Sequence, residues 1–216
     1  MNGLLPESTP VLLLGGGGHA KVLLDVLLRL GASILGYSDS DHEKSDLLGI
    51  PRLGGDEAIS RFSSSDIALV IAIGSTRASS VRRDVFERFK KEGYVYRSVI
   101  HPSAVIADSV VMGEGVQVMA GAVVQPGCTI GDNSLINTRA SVDHDCVIGS
   151  HVHVAPGVTL SGGVWLSDGV HVGTGACVIQ GVRIGESSTV GAGAVVLYDV
   201  PDHATVIGIP ARVLRK

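Results

Sequence analysis

Large apolar residues recur at every sixth position through the second half of the chain. The walk starts at Ile100 and runs by Ile106, Met112, Val118, Val124 and Ile130 to Val190 and Val196, without an insertion. Four residues after each stands a small or β-branched residue, such as Ala104, Ala122, Cys128, Ser134, Cys146, Ala176 or Val200. A helix repeats its apolar face at about 3.6 residues and a strand at about 2. Six is even, so each hexad reads as a short extended run followed by a corner. Gly113, Gly131, Gly149, Gly173, Gly185 and Gly191 follow the large apolar residue. Glycine there suits a corner that needs an unusual backbone angle or a close approach. Such repeats bury a continuous core only when neighbours stack. The lattice therefore predicts a solenoid whose interior alternates Ile or Val with Ala, Ser or Cys.

Before Ile100 the period changes. Val11–Leu14 reads as a buried strand, followed by Gly15–Gly18 and His19. Lys21 to Leu30 reads as a helix with Val22, Val26 and Leu30 on one face, stopped by Gly31. Ser33 to Tyr37 reads as a second strand, running into Ser38 and Asp39. Asp56 to Phe62 suggests a short helix, and Ile67 to Ile73 a third strand ending at Gly74. Ser79 to Lys91 reads as an amphipathic helix with Val81, Val85 and Phe89 as its stripe. Strand, glycine loop, helix and a strand ending in acid is the order of a small Rossmann-like unit. The glycine run can cradle a phosphate at a helix N-terminus, or can simply make a tight strand–helix turn. His19 is a poor helix capper, which favours a ligand contact. Asp39 stands where such units place a polar contact to a nucleoside, or serves as a solvated turn residue.

The chain's 216 residues suffice for two small domains, a Rossmann-like one over 1–98 and the solenoid over 99–216. Only 4% of residues are aromatic, which fits a narrow solenoid core. A net charge of −4 gives no reason to expect nucleic acid or an anionic membrane as partner. No apolar run reaches the roughly 18 residues of a membrane span. Leu12–Leu14 is too short for a signal-peptide core. The cysteines are Cys128, Cys146 and Cys177; the first two share the small inward column and are expected to stack as reduced thiols. An odd count without metal spacing points to a reducing cytoplasm.

Against the lattice, a few residues serve no packing need. His144 lies between Asp143 and Asp145, and either acid can orient its ring. The position one coil later, 18 residues on, is Gly162, whose N–H no side chain obstructs. A histidine beside such an amide has the parts of a base next to an oxyanion donor. His153 should stack against His171 on an outward face. The competing readings are solvated surface histidines, or a zinc held by His153, His171 and a histidine from a neighbouring subunit.

The hexad pattern resembles that of the hexapeptide-repeat proteins, which form a left-handed parallel β-helix with three hexads per triangular coil. Gly18-His19, Ile71 to Gly74, His144-Asp145, His153 nine residues later and the tail Ile207-Gly-Ile-Pro-Ala-Arg212 together resemble one group. That group is the sialic-acid-type sugar O-acyltransferases and the N-acetyltransferases of nucleotide-linked 4-amino-4,6-dideoxy sugars, of bacillosamine and perosamine type. The resemblance implies an acetyl-CoA-dependent N-acetyltransferase acting on a UDP- or GDP-linked amino sugar, without a metal. It implies His144 as general base, Asp145 as its orienter where relatives often carry Glu, and the Gly162 amide as oxyanion donor. His153, Gly173, Thr174 and Ala192 match positions lining the acetyl-CoA groove. Gly17, Gly18, His19, Ser38, Asp39, Ile71 and Gly74 match the nucleotide-sugar pocket. Relatives are homotrimers with each site built from two chains. The alternatives are O-acetylation of a sialic-type sugar, a metal-dependent carbonic-anhydrase-like hydratase, and a solenoid without catalysis.

Overall fold

The computed structural model describes residues 6, 8–42, 46–74 and 80–214. The chain divides into two compact units, one formed by 1–74 with 81–99 and the other by the remainder. The first unit is an α/β layer structure. Its strands are β1 (Val11–Leu14), β2 (Ile34–Ser38), β3 (Asp46–Leu47), β4 (Ile50–Gly54), β5 (Ala68–Ile71) and β6 (Val95–Tyr96). They form one sheet in the order β3-β4-β2-β1-β5-β6, parallel except for β3 against β4. β1 and β5 are buried along their whole length, which is why they read as unbroken apolar runs. Helices α1 (Gly18–Arg29) and α2 (Ser80–Lys91) accompany the sheet, with a 3₁₀ turn at Asp56–Arg61.

Both helices start or face differently from the sequence expectation. α1 begins at Gly18, directly on the glycine turn, and buries Ala20, Leu23, Leu24, Val26 and Leu27. Val22 and Leu30, expected inside, stand exposed. α2 buries Arg82, Phe86 and Phe89, while Val81 points outward. The stripe is rotated because Phe86 stacks on Tyr96 of β6 at 4.3 Å between ring centroids. Two rings there bury more apolar area than Val81 and Val85 offer. The expected residue Ser79 of this helix lies outside the described residues.

The second unit is a triangular parallel coil. One face stacks Gln117–Val118, Leu135–Ile136, His153–Val154, His171–Val172 and Thr189–Val190. The second carries Val123–Val124, Ser141–Val142, Thr159–Leu160, Cys177–Val178 and Val195–Val196. The third carries Thr129–Ile130, Val147–Ile148, Trp165–Leu166 and Arg183–Ile184. These pairings join residues 18 apart, as in Val118↔Ile136 and Ile136↔Val154, until the last turn, where Val190 pairs with Val206 at 16. From Val118 onward the six-residue column is buried, and the small column fills the gaps between the large side chains. Burying each such Val, Ile or Leu contributes roughly 1.5–3 kcal/mol.

The glycines after the apolar column are there for close approach and not for special angles. A Cβ on Gly173 would lie 2.6 Å from the Ala192 amide nitrogen in the next coil. Positive φ instead recurs three residues after the apolar column. It is met by Gly157, Gly163 and Gly169 but also by Asn133, Arg139, Asp145 and His151. Cys128 and Cys146 are buried in the inward column as expected, whereas Cys177 is exposed on the outward side of its strand. Among the described residues, no helix is long and apolar enough to cross a membrane.

Candidate active site

The glycine turn of the first unit forms where β1 ends. Leu14 pairs with Ser38 and with Ile71, so the ends of β1, β2 and β5 meet at one edge of the sheet. Open α/β sheets take ligands at this carboxyl edge. Gly17 is the N-cap of α1 and offers no side-chain cap. Cβ atoms built on Gly17 or Gly18 would meet nothing within 4 Å, so their backbone faces open space. Gly16 is closed in by Tyr37 and Asp39. Asp39 is not a solvated turn residue. Its Oδ2 accepts the Gly16 N–H at 2.8 Å, and its Oδ1 accepts the Asp41 N–H at 2.9 Å. Its carbonyl accepts both Nε and Nη2 of Arg52, at 2.9 and 2.7 Å.

The remaining expected pocket residues gather at the same edge. Ser38 is buried, and its hydroxyl has no hydrogen-bond partner among the described residues. Gly74 lies against His19, with 3.3 Å between its would-be Cβ and the histidine Cβ. Ile71 is buried at the end of β5. Arg82 of α2 donates to the carbonyls of Ile71 and Ile73, at 3.2 and 3.0 Å, and so holds the strand end leading to Gly74. Burial pulls its guanidinium down to about 9. Neither Arg52 nor Arg82 stood out in the sequence. A basic residue on a helix face otherwise apolar was the available signal for Arg82.

In the coil, His144 and Gly162 occupy the same corner, between the second and third faces, one coil apart. His144 Nδ1 meets Asp145 Oδ2 at 2.8 Å. Asp143 does something else, its Oδ1 accepting the His144 backbone N–H at 2.8 Å. Asp145 reaches the ring from a residue with φ of 59°, a conformation that Asp tolerates better than most. The Asp145 hydrogen bond, and then the charge of Asp143, raise the His144 pKa. A Cβ on Gly162 would fall 2.6 Å from His144 Nε2. The ring thus rests over a backbone that only glycine can supply, and the Gly162 amide donates to no described group.

The other coil residues sit elsewhere. His153 and His171 pair in register on the first face, with ring centroids 4.9 Å apart and planes at 83°. Both rings are buried, so they are not the solvated pair that outward positions suggest. Gly173, Thr174 and Ala192 follow at the corner after that face; Gly173 is buried while Thr174 and Ala192 are exposed. The triangular section therefore separates His144 and Gly162 from His153, Gly173, Thr174 and Ala192 within one chain. A shallow concavity lined by Trp165, Ser167, Arg183 and Asp202 on the third face holds neither histidine. Asn137, also unmarked in the sequence, binds His153 Nε2 at 3.1 Å. Burial raises the thiols of Cys128 and Cys146, the latter to about 12, so neither forms a thiolate readily. Among the described residues no group of three His, Cys, Asp or Glu can hold a metal ion.

Known proteins share both units. Residues 10–89 match the PglD N-terminal domain. Residues 109–140 and 127–162 match the bacterial transferase hexapeptide (six repeats). PerB from Caulobacter crescentus, solved in complex with CoA and GDP-perosamine, is 40% identical with a TM-score of 0.89; 95% of this chain and 97% of that one are covered. The acetyltransferase domain of PglB from Neisseria gonorrhoeae FA1090, solved with acetyl coenzyme A, is 35% identical with a TM-score of 0.89, covering 96% and 100%. UDP-N-acetylbacillosamine N-acetyltransferase of Bacillus subtilis (strain 168) is 38% identical over 113 residues. That alignment spans about half of each chain, 51% in both cases.

Proposed function

We propose, for a chain that belongs to the hexapeptide-repeat N-acetyltransferases with a PglD-type N-terminal domain, that it acetylates the 4-amino group of a nucleotide-linked 4-amino-4,6-dideoxy sugar from acetyl-CoA. The observation that carries this reading is the corner where His144, oriented by Asp145, rests over the Gly162 backbone. The relatives with bound CoA and GDP-perosamine supply the substrate class.

The sugar amine attacks the thioester carbonyl directly. His144 Nε2 takes a proton from the attacking nitrogen, while Asp145 on Nδ1 stabilises the imidazolium that forms. The oxyanion is held by the Gly162 N–H. The carbon–sulfur bond then breaks, and His144 returns its proton to the leaving thiolate, giving the amide and CoA. No acyl-enzyme forms: Cys128 and Cys146 point into the core, and Cys177 stands on an outward strand position two coils beyond Ser141.

Gly17, Gly18, His19, Ser38, Asp39, Ile71 and Gly74 hold the nucleotide sugar. The open backbone at Gly17 and the helix N-terminus suit its phosphates. His153, Gly173, Thr174 and Ala192 take acetyl-CoA. They sit on a different side of the coil from His144, so a working site draws them from a second copy, which supports the homotrimer. Val105 and Val111 stand more than half exposed on outward positions, as a contact between coils requires. The free cysteines support a place in the reducing cytoplasm.

Incubation with acetyl-CoA and a panel of UDP- and GDP-linked amino sugars, read by mass spectrometry, tests the reading. A mass gain of one acetyl group on an amino sugar supports it. Transfer only to free sialic acids would replace it with the O-acetyltransferase reading.

A further inference from the structure

The corner that carries His144 and Gly162 continues toward the C-terminal end of the coil, through Gln180 to Tyr198. Val178 pairs with Val196 on the second face at a spacing of 18, but Ile184 meets Val200 at 16. Two fewer residues therefore turn this last corner, and Tyr198 stands in the middle of it. Asp199 Oδ1 accepts the Arg183 N–H at 2.8 Å, and the Val200 N–H donates to the Arg183 carbonyl at 2.9 Å. The backbone is pinned, while the Tyr198 side chain is 69% exposed, more than any other aromatic among the described residues. Tyr37, Tyr94 and Tyr96 are buried. Trp165, on the third face, is the other exposed ring, but the Arg183 guanidinium lies over it at 5.3 Å from the centroid. In a chain with only 4% aromatic residues, a bare ring on a rigid corner is one that the packing of the coil does not use.

Three coils separate Tyr198 from His144, about 14 Å along the coil at the usual strand spacing. That is beyond the acetyl group and within the span of the pantetheine arm. His153, Thr174 and Ala192 climb the same way through successive coils, ending six residues before Tyr198. A second copy turned about the coil direction keeps these heights, so one copy's Tyr198 stands level with the other's Ala192. A thioester held at His144 therefore sends the rest of its molecule toward Tyr198, and adenosine is at that end. Any nucleobase has a flat face that stacks on an aromatic ring. We infer that Tyr198 is a binding residue for acetyl-CoA, its ring the platform on which the adenine base stacks. This rests on the acetyl-CoA reading above and adds to it a residue from the corner that holds the base.

Titration calorimetry without a sugar acceptor tests this, with CoA and with pantetheine 4′-phosphate, which lacks the adenosine, as probes. CoA should bind Tyr198→Ala about tenfold more weakly than wild type, the size of one base lost from one ring. Tyr198→Phe keeps the ring and should bind CoA as wild type does. Pantetheine 4′-phosphate should bind all three proteins alike. Equal affinity of wild type and Tyr198→Ala for CoA overturns the platform. A loss in Tyr198→Phe as large as in Tyr198→Ala assigns the contact to the hydroxyl and overturns the stack. An equal loss of both probes in Tyr198→Ala means that the ring supports the groove as a whole, which also overturns it. A wild-type protein that binds no CoA removes the acetyl-CoA reading itself, so the two failures are told apart.

Discussion

The glycine turn of the first unit and the His144 corner of the coil meet one requirement by opposite means. In the proposed function each must hold a bare stretch of backbone ready for a ligand. In the turn, side chains from distant parts of the chain fasten the backbone. Asp39 ties Gly16, Arg52 ties Asp39, and Arg82 ties the end of β5. In the corner, the ladder itself fixes the backbone: Gly163 donates to the His144 carbonyl at 2.9 Å, as Asp145 does to Pro126 and Gly181 to Gly162. Side chains there are released for chemistry. A site on irregular backbone spends its polar residues on support, whereas a site on a repeat can spend them on the substrate.

Substitutions can break that contrast. The largest effect is expected at His144, where replacement by Ala should lower kcat on the order of 10²–10⁴-fold in a folded protein. Near-normal turnover at saturating substrate would remove it as the base. Gly162→Ala comes next, because the new methyl would occupy the place of the ring; a loss on the order of 10²-fold in kcat is expected from displacing a reacting group by about 1 Å. Asp145→Asn keeps a residue that tolerates positive φ but removes the acceptor charge. A drop of about tenfold in kcat is expected, with a shift in the pH profile. Here the sign follows from the role: the base works unprotonated, so the rate rises as pH passes its pKa. Asp145 raises that pKa, so removing its carboxylate should move the acid limb to lower pH. An unmoved limb in kcat/KM would assign the titration to another group.

Asp39→Ala tests the other half of the comparison. It should loosen the glycine turn and raise KM for the nucleotide sugar by about tenfold, with KM for acetyl-CoA unchanged. Equal changes in both would mean that Asp39 supports more than its own unit. The smallest effect is expected at Cys146→Ala. Thermal unfolding should show a loss of about 1 kcal/mol, while turnover stays intact. Abolished turnover in a folded variant would bring back a covalent route.

The coil was legible because its register ties sequence to space. His153 opposite His171, Gly162 beside His144 and the buried Cys128 and Cys146 all follow from counting by 18. The same counting did not show that Asp145, and not Asp143, meets the ring, since that depends on a positive φ carried by a non-glycine residue. Nor did it mark Asn137, which reaches His153 across 16 residues. In the first unit the strands and the glycine turn were legible. The helix faces were not, because Phe86 and Tyr96 are brought together by the fold and a stripe of valines gives no notice of it. Arg52 and Arg82 act across 13 and 9–11 residues on carbonyl groups, which leave no trace in side-chain patterns.

The register of 18 also sets rules for how such a chain can change length. Adding or deleting one whole coil above Val172 would lengthen or shorten the prism by about 4.8 Å and leave the His144 corner untouched. An insertion of six residues would move everything after it round by one face and part Gly162 from His144 if it fell between them. Growth by whole coils preserves the chemistry, and growth by single hexads scrambles it. The coil is thus a counting device, and its proposed catalytic corner survives only edits that keep the count.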